Sequence, residues 1–164
     1  MAEKASFFAA LGSCSTGERA ALRRNCGAMI AEADGQAVMT FYRCLPPDVP
    51  RWQENHWFAA ACFSCLWDAG QQGMPMENAI YILRSASDSF EHRLVTLLDM
   101  RWEADGFLLR KLCRIIKMAK GKGLQINCET LLEDLLFWNS SNQGIQRKWA
   151  RAMYIKSQEK EQEA

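Results

Sequence analysis

The stretch Phe107-Leu-Leu-Arg-Lys-Leu-Cys-Arg-Ile-Ile-Lys-Met-Ala-Lys120 decides how the rest of the chain is read. An α-helix turns about 100° per residue, so with Arg110 at 0°, Arg114 falls at about 40° and Lys117 at about −20°. Leu108, Leu112, Ile115 and Ala119 fall on the other side, between about 140° and 200°. Burial of that apolar side fixes the helix with three cations in a line outside, flanked by Lys111 and Lys120. Gly121 and Gly123 supply the stop.

The same periodicity continues in both directions. Downstream, Asn127 is placed to cap a helix over 129–138, with Leu131, Leu132, Leu135 and Leu136 turned inward. Asn139-Ser-Ser-Asn142 is a turn, and a last helix is predicted from about 143 to beyond 154. There Ile145, Trp149, Ala152 and Met153 form the inner face, and Arg147, Lys148 and Arg151 point out. Upstream, Asp88-Ser-Phe-Glu91 has capping-box spacing ahead of Phe90, Leu94, Leu97 and Leu98, and 76–85 reads as a short helix. Gly70-Gln-Gln-Gly-Met-Pro75 is the best linker candidate. The segment 53–69 is apolar nearly all round, as a helix at the centre of a bundle is. Val38, Phe41, Tyr42 and Leu45 form a short stripe stopped by Pro46-Pro47, and Ser15-Thr-Gly-Glu18 is a capping box. No window alternates as a strand does. The expected fold is all-α, with about eight helices in two small antiparallel bundles. An N-terminal bundle takes 1–75, a basic C-terminal bundle 76–156, and the polar tail 157–164 is expected to be disordered.

The 164 residues, 49% hydrophobic and 24% charged, suit one domain or two small ones sharing a core. The net charge is only +1, yet it is segregated. Residues 1–104 hold 9 basic and 12 acidic side chains, and residues 105–156 hold 10 basic and 4 acidic. An ordinary solvated helix mixes signs through pairs four residues apart. The two basic helices offer almost no acids of their own, which points to an external polyanion, and regularly spaced phosphates are the usual one. A merely soluble basic surface is the plain alternative. Arg23 and Arg24, next to Arg19, form a smaller basic cluster. Of the six Trp, which can stack nucleobases, Trp57, Trp67, Trp138 and Trp149 have the apolar helical neighbours of core residues.

Other functions find little support. The first residues lack a basic start and a long apolar run, so no secretory signal is expected. The longest apolar stretch, 57–67, is far short of the roughly 18 residues a membrane span needs, so a cytoplasmic protein without membrane contact is expected. Seven Cys, an odd number, fit reduced thiols. Cys62-Phe-Ser-Cys65 lies inside an apolar helix rather than between a strand and a helix, and no second ligand pair accompanies it, so it reads as core packing. His56 and His92 are isolated, and no phosphate-cradling Gly loop, nucleophile elbow or HExxH occurs. No catalytic residue, metal site or cofactor is expected. Asp99, Glu103 and Asp105 are the acids a two-metal nuclease would use, but they sit at a helix junction, where acids cap N-termini.

Three blocks carry a family resemblance. The first is Phe41-Tyr-Arg-Cys-Leu-Pro46. The second is Leu98-Asp-Met-Arg-Trp-Glu-Ala-Asp-Gly-Phe107, continued from Leu112 to Gly123. The third is Leu132-Glu-Asp-Leu-Leu-Phe-Trp138, leading into Ile145-Gln-Arg-Lys-Trp-Ala-Arg-Ala-Met-Tyr154. In order and spacing they resemble the CasB family, the small subunit of the type I-E CRISPR surveillance complex Cascade. The resemblance implies an all-helical, non-catalytic subunit, present in two copies beside the backbone and large subunits. It also implies a basic face that contacts the guide RNA and helps hold the opened target DNA. Carried over by position, that face is Arg110, Lys111, Arg114, Arg147, Lys148 and Arg151, with Arg23 and Arg24 beside them. Lys117 and Lys120 extend it on the helical stripe. Arg43 fits a structural role as well as a contact, and the Asn139–Gln143 turn is less basic than in some relatives. A metal-dependent nuclease, a helix-turn-helix regulator and a protein–protein adaptor are the competing readings. They are distinguished by cleavage with added divalent metal, by sequence-specific duplex binding, and by weak salt dependence respectively.

Overall fold

A computed structural model describes residues 2–70 and 72–156; the tail 157–164 lies outside them. Among the described residues there are nine α-helices, two short 3-10 turns and no strand. In chain order the helices are α1 (Ala2–Gly12), α2 (Thr16–Arg24), α3 (Gly35–Cys44), α4 (Glu54–Ser64), α5 (Met76–Leu83), α6 (Phe90–Leu98), α7 (Phe107–Gly121), α8 (Cys128–Leu136) and α9 (Gly144–Ala152).

Local chemistry sets most of the boundaries. At α2 the Ser15 Oγ accepts from the Glu18 N–H at 3.2 Å, and Glu18 Oε1 accepts from the Ser15 N–H at 2.9 Å, a reciprocal box. Asp34 Oδ1 accepts from the Ala37 N–H at 3.0 Å to open α3, and Asn127 Oδ1 accepts from the Glu129 and Thr130 N–H groups to open α8. Asp105 Oδ1 takes the Phe107 N–H at 3.0 Å at the start of α7. That helix ends where the Leu124 N–H reaches back to the Ala119 carbonyl at 3.0 Å. The wrap requires a left-handed residue, which Gly123 supplies at φ +77°.

The helices enclose two apolar clusters. One gathers α5 to α9 around Leu112, Ile116, Leu131 and the edge-to-face pair Trp138–Trp149, 5.0 Å between ring centres. The other gathers α1 to α4 around Phe7, Phe41, Trp57 and Phe58, whose rings meet edge to face at 5.1–6.1 Å. Helix α4 is the shared wall: Ala59 and Phe63 face the first cluster, while Phe58, Ala60, Ala61 and Cys62 face the second. Helix α8 joins it, with Leu131 and Leu135 on one side and Leu132 on the other. A helix with core on every side must be apolar on every side, which is why 53–69 shows no polar face.

Several expectations need correction. The ninth helix is α1, which the sequence does not announce: only Phe7, Phe8 and Leu11 mark its buried side, little more than one turn. The apolar run at 53–69 is helical only to Ser64, where Ser64 Oγ bonds back to the Ala61 carbonyl at 2.7 Å and the chain turns. The last helix stops at Ala152 rather than passing Tyr154. Tyr42 is exposed rather than part of the inner stripe, its hydroxyl donating to Glu54 at 2.7 Å, and Ala37 and Thr40 take the buried places. The expected box at Asp88–Glu91 does not form, since Ser89 has the near-helical angles φ −89° and ψ −4° and makes no side-chain cap.

The linker candidate is anchored within the fold. The Met74 N–H donates to the Gln125 carbonyl and the Asn127 N–H to the Met74 carbonyl, both at 2.8 Å. A Cβ on Gly73 would lie 2.7–2.9 Å from the backbone of 125–127, so only glycine permits this approach.

Candidate nucleic-acid interface

Helix α7 presents the stripe its sequence dictates. Leu108, Leu112, Ile115 and Ala119 are buried, and Arg110, Lys111, Arg114, Lys117 and Lys120 are all exposed. Arg110 is partly anchored: its Nη2 donates to the Asp105 carbonyl at 2.9 Å and its guanidinium lies 4.8 Å from the Phe107 ring centre. Both partners are uncharged at the point of contact, so the positive charge stays available to an external anion.

The ion pairs among the described residues show which cations are already engaged. They are Lys4–Glu133, Arg43–Glu18, Lys148–Asp134 and Lys148–Glu77. Of the cations expected to meet a polyanion, Lys148 alone appears here. Its Nζ lies 2.7 Å from Asp134 Oδ1, while Asp134 Oδ2 accepts from the indole N–H of Trp149 at 3.0 Å. Lys148 therefore closes a buried acid from above, and the acid comes from α8, out of sight of any pattern within α9. Arg147 and Arg151 are exposed on the same helix.

Helix α6 connects the two basic helices, packing against both α7 and α9. On its α9 side the Tyr154 hydroxyl donates to Glu91. On its α7 side a groove of about 400 Å³ is lined by His92, Arg93 and Thr96 of α6 and by Lys111, Arg114 and Ile115 of α7. None of these lining side chains is acidic. His92 and Arg93 are the functional candidates that sequence reasoning misses. Glu91 and Asp99 give α6 mixed signs, and only its packing beside α7 sets Arg93 across from Lys111 and Arg114.

Arg23 and Arg24 are exposed in the last turn of α2, where cations also suit the helix dipole. The following turn abuts α7: a Cβ on Gly27 would come within 3.1 Å of Cys113. The Cys26 thiol, next to that turn, is pushed up to about 12 mainly by burial. Arg19 stands apart, its guanidinium donating to the carbonyls of Leu11 at 3.0 Å and Trp67 at 2.9 Å. Arg43 is paired within the fold, its Nη1 2.6 Å from Glu18 Oε2, which holds that carboxyl down to about 2.

The alternative chemistries gain no geometry. Asp105 caps α7, and Asp99 sits at the C-terminal end of α6 rather than at a helix start. Among the described residues no group of three His, Cys, Asp or Glu is placed to hold a metal ion. Cys62 and Cys65 are buried, and burial pushes both thiols up, opposite to the shift a reactive pair needs. Among the described residues no helix is long and apolar enough to cross a membrane. A larger cleft of about 520 Å³ lies between α1 and the loops before α5 and α8. Its lining mixes Arg19 with Asp68 and Glu129, so it carries both signs of charge.

Comparison with known proteins identifies the family. The chain matches the family model "CRISPR-associated protein Cse2" over residues 18–154. It is 28% identical over 102 residues to the CRISPR-associated protein Cse2 of Thermus thermophilus, a match covering 62% of this chain but only 57% of that relative. Among solved structures it is similar to M. ruber CasB, with a TM-score of 0.71, 25% identity, and 93% of this chain and 92% of the other covered. It is likewise similar to CasB from Thermus thermophilus, with a TM-score of 0.71, 25% identity, and 94% and 99% covered. A chain of a CRISPR RNA-guided surveillance complex shares the fold at 19% identity and a TM-score of 0.69, with 93% and 91% covered. The family model spans most of the chain and the CasB structures share its fold over more than nine tenths of it: the chain belongs to the CRISPR-associated Cse2 (CasB) family.

Proposed function

We propose that this chain is the non-catalytic small subunit of a type I-E CRISPR RNA-guided surveillance complex. In that role it works in the cytoplasm beside the backbone and large subunits and a second copy of itself. Its basic face holds the phosphate backbones of guide RNA and opened target DNA. The observation that carries this reading is the α7 stripe together with the acid-free groove it shares with α6. In an RNA-guided complex base pairing reads the sequence, so the protein needs only to hold backbones without preference. Opening a duplex against a guide is nearly balanced in energy, so a few phosphate contacts are enough to tip it. Rigid helices carrying exposed cations, with no base-reading pattern, suit that task.

The test is to rebuild the complex with Arg114→Ala/Lys117→Ala and, separately, with Arg147→Ala/Arg151→Ala. Lys148 is left intact because it holds Asp134. Both variants should assemble, bind target more weakly, and show a shallower dependence of affinity on salt. Wild-type affinity with an unchanged salt slope in both would remove these faces from the site.

A further inference from the structure

Cys14 and Cys44 meet where α1 and α3 end. Cys14 lies two residues past α1, and Cys44 is the last residue of α3. Their sulfurs are 3.7 Å apart, against about 2.05 Å in a disulfide. Side-chain rotation is the movement that closure requires. Both side chains are half-buried, within reach of a small reagent, whereas Cys62, Cys65, Cys113 and Cys128 are buried. Arg43 completes the cluster: its Nη2 donates to Cys14 Sγ at 3.4 Å while Nη1 holds Glu18. A cation beside an attacking sulfur is where the charge of a thiolate needs its counter-charge. The Cys44 thiol is the reluctant partner, pushed up to about 11 first by burial and then by its bond to Cys14.

We propose that Cys14 and Cys44 are a disulfide-forming pair that a small-molecule disulfide such as oxidised glutathione converts into a staple between α1 and α3. The Cys14 sulfur, its proton lost to solvent, attacks one sulfur of oxidised glutathione; a bond forms between them and one glutathione thiolate leaves. Cys44, deprotonated in turn, attacks the Cys14 sulfur and expels the second glutathione. The two thiolates released take up the two protons. The protein dithiol is oxidised by two electrons, and one glutathione disulfide is reduced to two thiols. The pair that motif reading selects, Cys62 and Cys65, is the wrong one for this chemistry because the fold has closed over it.

The experiment titrates the full chain with glutathione buffers of increasing oxidation, alkylates the remaining thiols after acid quenching, and analyses tryptic peptides by mass. The expected product joins peptides 5–19 and 44–51 with the loss of two hydrogens, the other five cysteines remaining alkylated. Cys44→Ser should instead trap glutathione on Cys14, and Cys14→Ser should abolish the product. The oxidised wild type should unfold about 5–10 °C higher, because the bond closes a loop of some 30 residues. Free, alkylatable Cys14 and Cys44 in excess oxidised glutathione would overturn the proposal. So would glutathione that stays on Cys14 in the wild type, or cross-links at Cys26, Cys62 or Cys65 appearing as readily.

Discussion

Asp134 shows how a single residue ties the basic surface to the core. Its side chain is 8% exposed, and each carboxylate oxygen has a donor, Lys148 Nζ on one and Trp149 Nε1 on the other. Asp134→Ala leaves a buried indole N–H without an acceptor and should cost about 2–4 kcal/mol in urea unfolding. Asp134→Asn keeps an acceptor for the indole and should cost clearly less; equal losses would show that the indole bond contributes nothing. His56 makes a second residue-scale case. It is buried, stacked on Trp102 with ring centres 3.9 Å apart, and its Nδ1 finds no partner among the described residues. Burial lowers it from 6.5 to about 4. Between those values the unfolded chain binds the proton and the folded chain does not, so stability falls as pH drops from 6.5 towards 4. The loss should be on the order of 2 kcal/mol near pH 4.5. His56→Leu should flatten that part of the profile, measured as denaturation midpoints at several pH values against wild type. A variant profile as steep as wild type would place the titration elsewhere.

At the scale of elements, α4 and the Gly73 crossing set the tolerance of the fold. Ala59, Ala60 and Ala61 are all buried, and between them they face both clusters. Enlarging any one to Leu should cost about 1–3 kcal/mol or more, since no side of the helix has room. A position that accepts Leu without loss, by thermal or urea unfolding, would mean that one face of α4 is loosely packed. Gly73→Ala should be worse than a surface change, as it meets backbone atoms and needs φ +74° as well. Most elements were legible because their caps and stripes are local: Ser15 with Glu18, Asn127 with Thr130, and the leucines of α7 each announce a helix within one or two turns. What was not legible lies between elements. Helix α1 has too short an apolar side to stand out, and the crossing at Gly73–Met74 reads as a linker until the loop before α8 is seen to bond it.

On the scale of the whole molecule, the binding surface was legible in proportion to how much of it lies on one helix. The α7 stripe follows from its own periodicity. Arg93 does not, because α6 gains its role only by packing beside α7, and the engagement of Lys148 depends on an acid fourteen residues earlier in the chain. The net charge of +1 separates two ways of binding a polyanion. Attraction to the whole protein would be nearly absent at that net charge. Attraction to a local face of unpaired cations would persist and respond to salt. If four to six phosphates are neutralised, binding of the isolated chain to an unstructured single strand should fall with salt at a log–log slope of roughly −3 to −4. Affinity should be weak and alike for strands of different sequence. Arg114→Ala/Lys117→Ala should reduce the slope by roughly 1.4, about 0.7 for each phosphate no longer neutralised. The same change should leave stability within about 0.5 kcal/mol of wild type, since both side chains are exposed. Fluorescence anisotropy at four or five salt concentrations measures the slope, and urea unfolding measures the stability. A flat salt dependence, or a preference above about a hundredfold for one sequence, would mean that the face on α7 and α6 is plain solvated surface, or that it reads bases through a pattern its exposed side chains do not have.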